Sequence, residues 1–221
     1  MRYDIWGPLL RHLEISLLGV LLGCVVGIGL GALLRKRPRT ASVAMGIVDV
    51  IQTVPTMAML SMLMIVFGLN DTTVVIAIFL YALFPILRNT YTGITGVDRG
   101  VVRAARGIGM KEGQILCKVE LPLALPVILS GVRLAFVTAL GVATTGVLIG
   151  AGGLGMLIWR GIQTRNTVMM LSGAIPVSLL AILTDTLLTA LEKRLSRRGH
   201  AKKGREKTNQ PKFEEDSHEE V

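Results

Sequence analysis

Charge is scarce in this sequence. Of 221 residues only 18% are Asp, Glu, Lys or Arg while 51% are hydrophobic, too apolar a balance for an ordinary soluble domain. Aromatic side chains make up 5%, which leaves few flat faces for bases to stack on. Nucleic acid is therefore not the expected partner, despite a net charge of +9. The two cysteines, Cys24 in an apolar run and Cys117 in a polar stretch, should lie at different depths, so neither a disulfide nor a metal site is expected. The three histidines, His12, His200 and His218, sit far apart in terminal segments and make no metal site or catalytic pair. No G-x-x-x-x-G-K-[ST] occurs, so the chain holds no ATP by a P-loop, and no G-x-S-x-G or paired intramembrane carboxylates stand out. No catalytic residues and no cofactor of its own are expected. Residues 150–155 satisfy G-x-G-x-x-G, but a dinucleotide site needs a preceding strand and an acidic residue about 20 positions on. Here an apolar run precedes and the region near Ile175 is apolar, so that reading fails.

What the sequence has is long apolar runs, several approaching the ~20 residues that cross a bilayer core. About five transmembrane helices are expected in an all-α membrane protein, at residues 15–34, 42–67, from 72 through Arg88 and Asn89, 126–149 and 167–191. The first ends in a basic cluster and not in a small-residue cleavage site, so it reads as a retained anchor. Its Gly19, Gly23, Gly27 and Gly31 recur every fourth residue and predict one close-packing face. Pro55 predicts a kink in the second span. Basic residues gather at 35–39, at 99–118 and from Lys193 onward, against Arg2, Arg11, Arg160 and Arg165 on the other side. By the positive-inside bias, the N-terminus is expected outside and the C-terminus in the cytoplasm. The organisation is then an external lead-in at 1–14, a membrane domain at 15–198 with a cytoplasmic loop at 91–122, and a disordered cytoplasmic tail at 199–221.

That loop carries Arg103, Ala104, Ala105, three residues to Gly109, nine more to Val119, then any residue, Leu121 and Pro122. The stretch resembles the EAA loop of ABC-importer permeases, with Arg103 where the family usually has glutamate. The string VDRGVVRAARGIGMKEGQILCKVELPLALPVILSGVRLA looks most like the osmoprotectant branch. The resemblance implies a type I importer (MetI-like) permease fold in a bacterial plasma membrane, surrounded by lipid. It implies a second permease subunit, identical or paralogous, a dimer of ABC ATPases that carries ATP and Mg, and an extracytoplasmic substrate-binding protein. It implies import of a small solute such as glycine betaine, carnitine or choline, with an amino acid or another small solute as the alternative. A secondary transporter is a more distant alternative, since no half-to-half repeat is visible.

Three further groups of residues follow. Gln52, Thr53, Pro55 and Thr56 lie where the family's second helix lines the translocation path; a kinked packing helix is the competing reading. Gly150, Gly152, Gly153 and Gly155 look like the family's hinge or outer gate, with a bare turn as the alternative. Asp49, Arg133 and Asp185 fall at similar depth near the cytoplasmic ends, with Arg88 nearer the boundary; mutual pairing of these charges, Arg133 with Asp185 first, competes with independent snorkelling to water.

Overall fold

The computed structural model describes residues 4–207, with side-chain surroundings through Leu195. Nine α-helices carry these residues: α1 (Trp6–Leu34), α2 (Pro38–Thr53), α3 (Thr56–Phe67), α4 (Asp71–Thr95), α5 (Arg99–Gly107), α6 (Glu112–Ile115), α7 (Leu121–Thr145), α8 (Gly155–Gln163) and α9 (Thr167–Lys207). Four of the helical stretches are long and apolar enough to cross a membrane, and a fifth crossing results if α2 and α3 count together.

The glycine stripe of α1 is the spine of the fold. A Cβ on Gly23 would come within 2.9 Å of Ala82, one on Gly27 within 2.9 Å of Ile86, and one on Gly31 within 2.7 Å of Thr90, while Gly19 lies against Ile78. The partners on α4 also step by four, so two matched rows interlock at backbone distance. Because residue numbers rise together in both rows, α1 and α4 run parallel. The chain between them must therefore return from one end of the bundle to the other, and that return is made by α2 and α3. Helix α7 runs the opposite way: Gly131 packs on Pro85 and Asn89, and Gly146, just past its end, on Val74. Ile78, Ile86 and Ala139, all buried, sit at the centre of the resulting core.

Three expectations change in detail. The second span is not one kinked helix, because α2 and α3 meet at 98°. Val54 is extended (ψ 126°) and Pro55 has ψ 138°, as follows from the clash of a proline ring with an α-helical predecessor. The Tyr81 hydroxyl, 27 residues away, donates to the freed Val54 carbonyl at 2.5 Å. Helix α4 continues through Arg88 and Asn89 to Thr95, four residues beyond where the loop was expected to begin (91). Within it Pro85 is tolerated, and Asn89 Nδ2 donates to the Pro85 carbonyl at 2.8 Å. Finally, α1 begins at Trp6, inside the expected lead-in, and the helical backbone of α9 runs to Lys207, into the expected tail. The rest of that tail, 208–221, lies outside the described residues.

Candidate functional site

The expected loop folds as a helix, a sharp reversal and a second helix. Asp98 opens α5, its carboxylate accepting from the Gly100 N–H at 2.7 Å. At the other end the Gly109 N–H donates to Arg106 O (2.9 Å) and the Met110 N–H to Ala105 O (3.2 Å). This is a Schellman closure, and it requires a left-handed residue at Gly109, where φ is 83°. Lys111 N–H then donates to Gln114 Oε1 at 2.8 Å to start α6.

Helix α6 does not end before α7. Leu116–Glu120 continues as a π-helical segment directly into α7, so Pro122 sits inside a continuous helix and does not begin one. The widened turn just before Pro122 relieves the clash its ring would make with a carbonyl one turn back, and absorbs the missing donor. Val119 is half-buried and Leu121 packs with Ile94, Ala124 and Ile128 at the ends of α4 and α7.

The two small residues of the motif face different ways. Ala105 is 6% exposed and buried inside the chain, whereas Ala104 is exposed. Ala104, Val101 and Ile108 share one outward face at helical spacing, and Ile108 is 80% exposed. Arg103 is exposed as well.

Charge pins this loop to the end of α1. Arg35, only 13% exposed, lies 2.9 Å from the equally buried Glu120, as an ion pair outside linear hydrogen-bond geometry. Glu112 receives Lys36 at 2.7 Å and Arg106 at 3.0 Å. The hydrogen bond from Lys36, with Arg106 adding, holds the Glu112 carboxyl below the usual carboxylate range. Sequence reading used these basic residues only for orientation, and Glu112 and Glu120 were not singled out. Their one signal was the pairing of a basic cluster with acids in a loop far along the chain, Arg35 and Glu112 being 77 residues apart, which spacing alone does not reveal.

At the opposite end of the bundle lie the glycines. Gly150 (φ 78°) and Gly153 (φ 115°) occupy left-handed backbone, and the Gly152 N–H donates to Asp71 Oδ1 at 2.8 Å. Asp71 also receives Arg11 (2.5 Å), so the loop is tied to the starts of both α1 and α4. A Cβ on Gly153 would press on buried His12 at 3.0 Å, and Gly155 lies flat on the Thr144 carbonyl. Arg11, His12 and Asp71 were not among the expected site residues.

Between the two ends, Thr53 and Pro55 are exposed at the α2–α3 break, Gln52 and Thr56 partly so. Thr53 Oγ1 donates to Val50 O at 2.7 Å, and Gln52 Oε1 is buried with no partner among the described residues. Of the four charges expected to pair, Arg133 stands 3.7 Å from Asp185, 3.9 Å from Glu192, and donates to Thr189 Oγ1 at 2.8 Å. Arg88 and Asp49 do not join them. Arg88 lies over the Phe84 ring, 5.5 Å from its centre, one turn back on its own helix. Asp49 is on the exposed face of α2 and makes no ion pair among the described residues.

This chain is a bundle of apolar helices with a polar loop pinned by ion pairs at one end. The family described as "Binding-protein-dependent transport system inner membrane component" matches residues 19–197. The chain belongs to it. This importer permease is 45% identical over 187 residues to the carnitine transport permease protein OpuCD of Listeria monocytogenes serotype 1/2a, covering 84% of each chain. It is equally identical to the glycine betaine/carnitine/choline transport system permease protein OpuCD of Bacillus subtilis, over 84% of this chain and 82% of that one. With the osmoprotectant import permease protein OsmW of Salmonella typhimurium it shares 38%, covering 86% and 90%. Among solved structures, the inward-facing MetNI methionine ABC transporter matches with TM-score 0.74 over 84% of this chain and 93% of that one, at 22% identity, and so shares the fold. The permease is thus a multi-pass membrane component of the type I importer fold, in a family whose members work with an ATPase and a substrate-binding protein.

Proposed function

We propose that this permease imports a quaternary ammonium osmoprotectant, glycine betaine, carnitine or choline, driven by a separate pair of ATPase subunits. The observation that carries the substrate class is the 38–45% identity, over most of both chains, to permeases named for those solutes. A second permease subunit, identical or paralogous, completes the path, and an external binding protein delivers the solute. ATP and Mg reside on the ATPase.

Support for the coupling role lies in the loop. Helix α5 turns Val101, Ala104 and Ile108 outward, an apolar strip left exposed by the described residues, on a helix fixed from behind by Ala105 and the Glu112 ion pairs. A nucleotide-driven movement of the ATPase pushing on α5 would pass through Glu112 and Glu120 into α1 and directly along the continuous helix into α7. Alternation between inward- and outward-facing states then shifts two populations of one bundle. The α2–α3 break with Gln52, Thr53, Pro55 and Thr56 supplies path-facing polar groups, and the Gly150–Gly155 loop, held by Asp71, serves as the outer hinge. The loop end is assigned to the cytoplasm, with the N-terminus outside.

Uptake of labelled glycine betaine, carnitine and choline into vesicles holding the permease, its ATPase and its binding protein tests the reading. ATP-dependent uptake of at least one of the three is expected. Uptake of none of them, with a different solute accumulating, would overturn the substrate class while leaving the coupling mechanism intact.

A further inference from the structure

A cavity of about 480 Å³ opens between the ends of α1 and α4, helix α5 and the π-helical segment. That volume is within the range of small-molecule sites. Five cations line it, Arg35, Lys36, Arg99, Arg103 and Arg106, against a single carboxylate, Glu120. Three of the five are already engaged: Arg35 with Glu120, and Lys36 and Arg106 with Glu112. Arg99 and Arg103 have no carboxylate partner among the described residues, and both are exposed. Arg103 is the position where the loop motif usually carries an acid, so here the motif adds a positive charge to the wall.

We propose that this cavity holds the phosphate headgroup of an anionic phospholipid. Two free guanidinium groups on one wall, a turn apart on α5, match the planar, multidentate recognition of phosphate oxygens. Arg35 and Lys36 follow the last apolar turn of α1, and Thr95 ends α4, which sets the cavity at the level where crossing helices leave the hydrocarbon. Ile94 and Val97 line the same cavity, giving the glycerol and upper acyl carbons an apolar wall beside the charged one. Basic pockets between helices at this level suit lipid headgroups. A bound headgroup would bridge α5 to the end of α1, the same two elements that Glu112 joins, and so brace the loop. The proposal rests on reading the loop end as a membrane–water boundary, which cysteine labelling tests separately.

The test uses full-length permease purified from an equimolar mixture of phosphatidylglycerol and phosphatidylcholine, with retained lipid counted by mass spectrometry after washing. Wild type is expected to retain phosphatidylglycerol in preference to phosphatidylcholine. Arg99→Gln with Arg103→Gln should lower that preference about tenfold, and Arg103→Gln alone by less, consistent with loss of charge-assisted contacts. Arg160→Gln with Arg165→Gln, at the opposite end of the bundle, should leave it unchanged. All four positions are exposed, so the variants are expected to fold. Equal retention by wild type and the Arg99/Arg103 pair overturns the proposal, as does an equal loss in the Arg160/Arg165 pair. Saturable binding of inorganic phosphate to delipidated wild type, with no preference for phosphatidylglycerol over phosphatidylcholine, would also overturn it, by showing a site for free phosphate.

Discussion

Two glycines two residues apart on α1 should respond oppositely to substitution. Gly27 faces α4, where an added Cβ meets Ile86 and, at 3.2 Å, the backbone nitrogen of Leu87; Gly29 has nothing within 4 Å. Gly27→Leu must therefore push the two helices apart, and overpacking of this kind costs about 1–3 kcal/mol. Gly29→Ala should be neutral or stabilising by up to ~1 kcal/mol through helix propensity. Thermal unfolding of the purified permease separates the two, and equal melting temperatures for both variants would sink the interlock. The same scale holds the Arg133 cluster. With Asp185 at 3.7 Å, Thr189 at 2.8 Å and Glu192 at 3.9 Å, the arginine has three partners and no single one dominates. A double-mutant cycle of Arg133→Ala with Asp185→Ala should give a coupling of roughly 0.5–1 kcal/mol. Additivity within about 0.3 kcal/mol would mean the two charges face water independently. The glycine row was legible in the sequence because a period of four needs no knowledge of the partner helix. The separation of Arg88 and Asp49 from that cluster was not, because depth along a helix says nothing about which way a side chain points around it.

At the scale of elements, the loop's shape was legible and its inward and outward faces were not. A glycine break after a short helix could be read from the motif, and Gly109 does adopt the left-handed conformation that the Schellman closure needs. Adjacent Ala104 and Ala105 look alike in sequence, yet burial separates them: Ala105 packs on the chain itself and Ala104 faces out. Ala105→Trp should thus dislodge α5 from its own scaffold, visible as faster amide exchange across α5 even without an ATPase. Gly109→Leu acts differently. It has open space around it, so its cost is the left-handed backbone, roughly 1 kcal/mol or more. Insertion and helix packing should survive, while ATPase association weakens and ATP-driven uptake falls; normal uptake with wild-type ATPase binding would reduce α5 to a connector. Glu112 gives a pH signature. Its carboxyl titrates below its unfolded value, so the bracing it supplies is present above the ordinary carboxylate range near ~4.3 and is lost as pH falls through the depressed value. Exchange protection of α5 and α6 should decline on acidification in wild type and show no such decline in Glu112→Gln.

For the whole molecule, hydropathy gave the crossings and charge gave an orientation, but the sequence could not say how the second crossing is made. Proline at position 55 fits a kink or a break; Tyr81, on another helix, settles it as a 98° break by taking the Val54 carbonyl. Parallel packing of α1 against α4 then requires that α2 and α3 together carry the chain between the two ends. If that pair counts as one crossing, five passes are expected, with the start of α1 and the end of α9 on opposite sides. Single cysteines in a Cys24- and Cys117-free background test this count and the orientation at once. Asp71 is a poor probe site because it holds Arg11 and the Gly152 N–H, so its loss would loosen the very end being mapped. Leu69, two residues earlier and 66% exposed, and Thr164 are better reporters for that end, with Ile108 and Lys111 for the other. Leu69→Cys and Thr164→Cys should react with an impermeant maleimide on intact cells, and Ile108→Cys and Lys111→Cys only after permeabilisation. Reaction of all four on one side would refute the five-pass fold. Reaction of the Ile108 and Lys111 probes alone on intact cells would keep the fold but invert it, placing α5 where no cytoplasmic ATPase could reach its Val101, Ala104 and Ile108 strip.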